Sequence, residues 1–408
     1  MNYNEAFDKL NDLGQTHVLD GFNGLSADKQ AELLEQIDRT DFSVLRLCSG
    51  DASVVPKGEV TPIKAMQLDE IKSEGDRFEE IGLNVITDSK VAAVLLAGGM
   101  GTRLGSDDPK GMYNIGITKD VFIFQRLIEN LMDVTNKTGN WVYLFVMTSD
   151  KNHDVTVKFF NEHNFFGYNG DYVKFFKQEM APACDYSGKV YMEEPYRIAT
   201  SPNGNGGWFS SMISAGIADI VEREGIEWLN VFAVDNVLQR ICDPCFIGAV
   251  VDGGFTSGAK VVRKAAPDEK VGVMCLEDGR PSIVEYYELT PELMQAKDEK
   301  GDPAYNFGVI LNYLFNTKEL LGVVRENMPL HRVEKKIPYI SAAGEYVKPQ
   351  EPNGYKFETL ILDMIHLFPD CLPYEVVREH EFAPIKNKTG IDSVESARKL
   401  CELNGIVL

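Results

Sequence analysis

Four glycines within eight residues, Gly98, Gly99, Gly101 and Gly105, enclose Thr102 and Arg103, and Pro109 and Lys110 follow closely. Glycine removes side chains so that backbone amides can approach an anion, and Arg103 and Lys110 add fixed positive charge. Such a loop can hold a polyphosphate. Spacing tests the two common devices of this kind. A Walker loop ends in Gly-Lys-Ser/Thr, whereas Lys110 is followed by Gly111 and Met112. A dinucleotide fingerprint needs G-x-G-x-x-G opening a helix. Gly99, Gly101 and Gly105 give G-x-G-x-x-x-G instead, and Pro109 stands where the helix should run. Neither pattern is met.

A second constellation is Ser201-Pro202-Asn203-Gly204-Asn205-Gly206-Gly207-Trp208. Its glycines let the backbone pass close to a ligand, and Asn205 offers both a donor and an acceptor. Asn-Gly is also an ordinary surface-turn signal. Asp235-Asn236 follows the apolar run Leu229–Val234. A carboxylate at the tip of a buried parallel strand points into a ligand crevice, and Mg2+ commonly binds one carboxylate plus substrate phosphates. Asp235 is the metal candidate, with a helix N-cap as its alternative reading.

The elements that must position these residues follow from pattern. Val91–Ala97 is uncharged and apolar, as expected of a strand buried on both faces of a parallel sheet. Residues 121–134 repeat apolar positions at helical spacing, 141–147 read as a strand, 155–163 as a helix and 172–176 as a strand. The alternation specifies an α/β, doubly wound, mostly parallel sheet. Residues 260–264, 271–275 and 283–286 read as further strands, with Asp278-Gly279 as a hairpin turn. Asn306–Phe315 reads as an apolar helix or a strand running into one. Residues 1–85 look helical and accessory, with Ser26 as an N-cap. The expected division is 1–85 helical, 86–390 catalytic and 391–408 a short tail.

The 408 residues carry a formal net charge of −21, which argues against nucleic acid or an anionic membrane as partner. An acidic chain that binds a triphosphate must gather its few cations locally, so Arg103 and Lys110 gain weight. Asn2–Leu13 is too charged for a secretory leader, and no apolar run approaches the length of a membrane span. Seven scattered cysteines, with Cys242 and Cys245 as a lone C-x-x-C, read as buried thiols of a reducing cytoplasm.

The string LAGGMGTRLGSDDPKGMYNIG resembles the signature of the UDP-sugar pyrophosphorylases, most closely those acting on UDP-N-acetylglucosamine. The resemblance runs in order from about residue 15 to residue 390. It implies a Rossmann-like nucleotide-diphospho-sugar transferase fold and a monomer or weak dimer lacking the small C-terminal domain of eukaryotic relatives. It also implies a uridylyltransferase joining UTP and a sugar 1-phosphate to give UDP-sugar and pyrophosphate, with Mg2+ (or Mn2+) as cofactor.

The residues it assigns are these. Leu96, Ala97, Gly98 and Gly99 hold the nucleotide; Arg103, Lys110 and Lys386 stabilise phosphate charge. Gln178 and Gly204 read uracil, Lys356 touches the uridine nucleotide, and Asp235 serves nucleotide and metal. Asn205, Glu285 and Tyr286 contact the sugar, while Leu360 and Leu362 stand where the family packs two aromatics on the N-acetyl group. Lys335 and Lys348 read as solvated. Gly308-Val309-Ile310 replaces the family's G-N-I, which removes a polar sugar contact. The sugar is therefore open between N-acetylglucosamine and glucose. A non-catalytic UDP-sugar sensor is the reading from another class, and a dehydrogenase is disfavoured by the glycine spacing.

Overall fold

The computed structural model describes residues 1–48, 58–323, 328–341 and 343–408. Residues 49–57 of the expected N-terminal helical region lie outside them. The chain forms two units, each assembled from separated segments. One comprises Lys57–Gln178, Trp208–Asn327 and Leu362–Leu408; the other comprises Met1–Pro56, Glu179–Gly207 and Met328–Ile361. This grouping cuts across the linear division at 85 and 390.

The larger unit is built on a ten-stranded mixed sheet. Its strands are β1 (Val60–Pro62), β2 (Val91–Leu96), β3 (Tyr143–Thr148), β4 (Val173–Lys177), β5 (Trp228–Ala233), β6 (Ser257–Arg263), β7 (Val273–Glu277), β8 (Arg280–Val284), β9 (Phe307–Asn316) and β10 (Leu372–Glu375). The main path is β1-β7-β9-β5-β2-β3-β4, with β6 joining β9 to β10 and β8 pairing with β7. β5, β2, β3 and β4 form a parallel block, in register Ala233 to Leu96 and Leu96 to Met147. β9 runs antiparallel to β5 and β6. Every residue of β2 is buried, as its uncharged sequence requires.

Helices α1 (Leu68–Thr87), α2 (Ile123–Thr138), α3 (His153–Glu162), α4 (Pro244–Asp252) and α5 (Arg378–Glu381) belong to this unit. Phe124, Leu127, Ile128 and Leu131 of α2 join Ala93, Leu95 and Val146 in one core. α1 and α4 touch backbone to backbone: a Cβ on Gly82 would lie 1.9 Å from the Pro244 carbonyl oxygen, and one on Gly248 1.8 Å from that of Phe78. Only glycine permits that approach. Among the described residues, no helix is long and apolar enough to cross a membrane.

The smaller unit packs helices Tyr3–Asp12 and Ala27–Arg39 around Leu10, Leu33 and Ile37, together with Ile198 and Phe357. Its three-stranded sheet joins His331–Lys335, Gly354–Glu358 and Cys184–Asp185. Ser26 occupies the N-cap position of the second helix without a side-chain hydrogen bond. The seven cysteines are free thiols, and the Cys48 and Cys184 sulfurs stand 3.4 Å apart.

Candidate functional site

In the larger unit, β2 ends at Leu96, and the Ala97 amide still pairs with the Met147 carbonyl. Beyond it the chain turns through 3-10 segments at Thr102–Leu104 and Lys110–Met112, and the first long helix waits until Ile123. Pro109 accounts for the delay. The loop closes on itself: Gly101 donates to the Asp108 carbonyl at 2.8 Å, and Lys110 donates to that of Gly99 at 3.1 Å. This closure returns the Lys110 side chain to the mouth of the glycine run. Among the described residues, the amides of Gly98 and Gly99 donate to no protein acceptor. Gln178, buried at the end of β4, lies against Gly98, where an added Cβ would come within 2.4 Å of its Nε2.

Asp235 follows β5 beside this loop, with its carboxylate 3.8 Å from the Lys110 ammonium. The next turn is fixed by the segment after α5. Asn236 donates to the Glu381 carbonyl at 2.7 Å and accepts from the Ala383 amide at 2.9 Å, while the Ile385 amide donates to the Asp235 carbonyl at 2.9 Å. Lys386 comes next, its ammonium 3.2 Å from Asp392. Burial holds the Lys110 ammonium below the ordinary lysine value; Asp235 opposes the shift, and Lys386 and Arg103 reinforce it. Arg103, Lys110, Asp235 and Lys386 therefore share one electrostatic field. Glu285 and Val309 meet at the Gly272 backbone, where a Cβ would lie 3.8 Å from the Glu285 carboxyl carbon and 3.5 Å from a Val309 methyl. Tyr286 stacks edge-on against Tyr287.

A single carboxylate flanked by lysines is a poor resident metal cage, and no cluster of three His, Cys, Asp or Glu suited to a cation occurs among the described residues. It does suit a hard cation that takes its remaining oxygens from a substrate polyphosphate and water.

The smaller unit holds a cavity of about 710 Å3 lined by Ser201, Gly204, Asn205, Lys335, Lys336, Lys356, Glu358 and Leu360. Its loop is zipped to the strand end at 359–361. Thr359 donates to the Asn203 carbonyl at 2.6 Å, and Gly206 donates to the Thr359 carbonyl at 2.9 Å. A Cβ on Gly204, whose φ is +92°, would lie 2.1 Å from the Thr359 carbonyl oxygen. The Asn205 Oδ1 accepts the Ile361 amide at 3.0 Å, leaving its NH2 rather than both groups for a ligand. The buried hydroxyl of Ser201 has no hydrogen-bond partner in the structure. Leu362 lies in the larger unit, in the helix Ile361–Leu367.

Lys335 is exposed, as its solvated reading requires, and with Lys336 it also lines the open side of this cavity. Their place in the lining was not legible in the sequence because the pairing of His331–Lys335 with Gly354–Glu358 is long-range. The available signal was two adjacent lysines in a chain of net charge −21.

The family model for UTP–glucose-1-phosphate uridylyltransferase matches residues 48–404. The human UDP-N-acetylhexosamine pyrophosphorylase-like protein 1 is 38% identical over 408 aligned positions, which cover 94% of this chain and 80% of that protein. The Saccharomyces cerevisiae UDP-N-acetylglucosamine pyrophosphorylase is 35% identical, covering 94% and 86%. Among solved structures, the uridine diphosphate N-acetylglucosamine pyrophosphorylase of Trypanosoma brucei, in complex with an inhibitor, superposes with a TM-score of 0.82 at 25% identity. That match covers 97% of this chain and 84% of the other.

Proposed function

This chain belongs to the UTP–glucose-1-phosphate uridylyltransferase family, and we propose that it joins UTP and N-acetylglucosamine 1-phosphate to give UDP-N-acetylglucosamine and pyrophosphate. The observation that carries the reading is the Lys110–Asp235 pair, 3.8 Å apart, at the closed glycine loop that bears the open amides of Gly98 and Gly99. The names of the relatives direct the choice of sugar.

A phosphate oxygen of the sugar 1-phosphate attacks the α-phosphorus of UTP in line, and the bond to the β-phosphate breaks. Pyrophosphate leaves, so no protein nucleophile is needed. Catalysis of this kind is mainly positioning and charge stabilisation. Leu96 to Gly99 cradle the nucleotide, and the Gln178 carboxamide meets uracil's imide edge. Lys110 and Arg103 neutralise the triphosphate and the charge gathering on the leaving group, and Lys386 steadies the incoming phosphate. Asp235, with substrate oxygens, would hold Mg2+, which would supply charge neutralisation to the phosphates. In the smaller unit, Gly204 and Lys356 are assigned to the uridine nucleotide, and Asn205 and Leu360 to the sugar. Glu285, Tyr286 and Leu362 complete the sugar assignments.

A second reading keeps the mechanism and takes glucose 1-phosphate. Val309 favours it by offering a methyl where a polar contact would serve an N-acetyl sugar, and Leu360 and Leu362 require no acetyl group. The test is pyrophosphate release with UTP and Mg2+, run in parallel on the two sugar phosphates. Preference for N-acetylglucosamine 1-phosphate is expected, and preference for glucose 1-phosphate would move the substrate. Release with neither, beside measurable UDP-sugar binding, would replace the enzyme with a sensor.

A further inference from the structure

Behind the Asp235 turn lies a charged group that the proposed chemistry does not use. Lys260, on β6, is fully buried. Its ammonium donates to Asp243 at 2.8 Å, to Glu381 at 2.5 Å and to the Arg240 carbonyl at 3.2 Å. Asp243 also caps α4 through the Cys245 amide and faces the Arg240 guanidinium at 3.4 Å. Asn312 donates to the Arg240 carbonyl at 3.2 Å, and Asn230 accepts from the Cys242 amide at 2.7 Å. Two carboxylates thus face two cations, and side chains hold the loop at Arg240, Cys242 and Asp243.

Burying such a group is costly, and apolar residues of the same volume often give a more stable protein. Its retention therefore calls for a role in geometry. The connections supply one. Glu381 ends α5, and its backbone carbonyl accepts Asn236, which in turn accepts the Ala383 amide. The same strap, two to five residues past Glu381, pins the Asp235 carbonyl and presents Lys386. Burial pushes the Glu381 carboxyl upward, whereas Lys260 and Arg240 outweigh burial at Asp243 and hold it below the usual carboxylate range. The ammonium lies within hydrogen-bond distance of both partners.

We infer that Lys260, Asp243 and Glu381 are positioning residues that fix the separation of Asp235 from Lys386, and so of the cation-side carboxylate from the lysine meeting the sugar phosphate. The inference rests on the roles proposed above for those two residues. Losing such support typically costs about 10- to 100-fold in activity or metal affinity.

Glu381→Gln preserves shape and a carbonyl acceptor while removing the charge, and Lys260→Met removes the hub. In the folded variants kcat should fall about 10- to 100-fold, KM for UTP should move little, and the Mg2+ concentration for half-maximal rate should rise. A lower Tm with unchanged kcat and Mg2+ response would reduce the triad to packing and overturn the inference. Should Lys260→Met not fold, Glu381→Gln decides alone. Calorimetric titration with pyrophosphate, with and without Mg2+, reads the same geometry without turnover. If wild type releases no pyrophosphate, the proposed function fails, and the inference is then judged on this binding. Loss of the Mg2+-dependent gain in Glu381→Gln supports it, and retention rejects it.

Discussion

Replacing Lys110 by Met separates catalysis from stability with one substitution. The ammonium is 3.8 Å from the Asp235 carboxylate, and its side chain is 17% exposed. A phosphate oxygen at that distance, in surroundings of effective dielectric about 20, would interact by about 4 kcal/mol. If the charge matters mainly as pyrophosphate departs, its loss lowers kcat by about 10²–10³, or about 2.7–4 kcal/mol of barrier. Stability should move the other way. Burial, reinforced by Lys386 and Arg103, holds Lys110 below the 10.5 of a free lysine despite Asp235. The unfolded chain then binds this proton more tightly than the folded one. The charge therefore costs stability throughout neutral pH, a cost that vanishes only as pH rises past 10.5. Lys110→Met should thus unfold at the wild-type temperature or above while turnover collapses. Stopped-time pyrophosphate release and thermal unfolding, on the same preparation, read both. A folded variant with wild-type kcat would refute the catalytic role. A Tm several degrees lower would refute the electrostatic account.

Three further outcomes follow from the same geometry. Gly98→Ala places a methyl within 2.4 Å of the Gln178 carboxamide; KM for UTP should rise roughly tenfold, about 1.4 kcal/mol, with kcat less affected, and an unchanged KM would remove Gln178 from the uracil contact. Gly204→Ala meets both a φ of +92° and the Thr359 carbonyl, so it should destabilise by at least about 1–3 kcal/mol, and a wild-type unfolding curve would contradict the close approach. UTP binding should raise Lys110's depressed value and take up a proton under alkaline conditions, weakening affinity as pH climbs; calorimetry in buffers of different ionisation heat should detect the uptake in wild type but not in Lys110→Met, and equal uptake in both would assign it elsewhere.

The parallel half of the sheet is legible because β2, β3 and β5 announce themselves as uncharged runs, β4 as a short aromatic run broken by Lys174, and α2 and α3 by helical spacing. β9 is harder. NFGVILNYLF fits an apolar helix as well as a strand, and only pairing with β5 and β6 on its two sides decides it; the helix Thr317–Val323 then follows. The turn through Lys110 is readable since Gly and Pro act locally, and the proximity of Lys110 to Asp235 follows from neighbouring parallel strands ending together. Lys260 was visible only as one residue of a strand. Its burial beside Asp243 and Glu381 depends on contacts 17 and 121 positions away, which no local pattern encodes.

The segmented units bear on how the chain is made. Leu10, Leu33 and Ile37 of the smaller unit share their core with Ile198 and with Phe357, so the first helices leave the ribosome with apolar faces whose last partner is roughly 300 residues away. At about 5–20 residues per second, that interval is on the order of tens of seconds. The larger unit is interrupted in the same way, since β10 and α5 arrive after residue 361. Neither unit is one continuous stretch of the chain, and each can finish folding only after its own last segment, 328–361 or 362–408, has been synthesised.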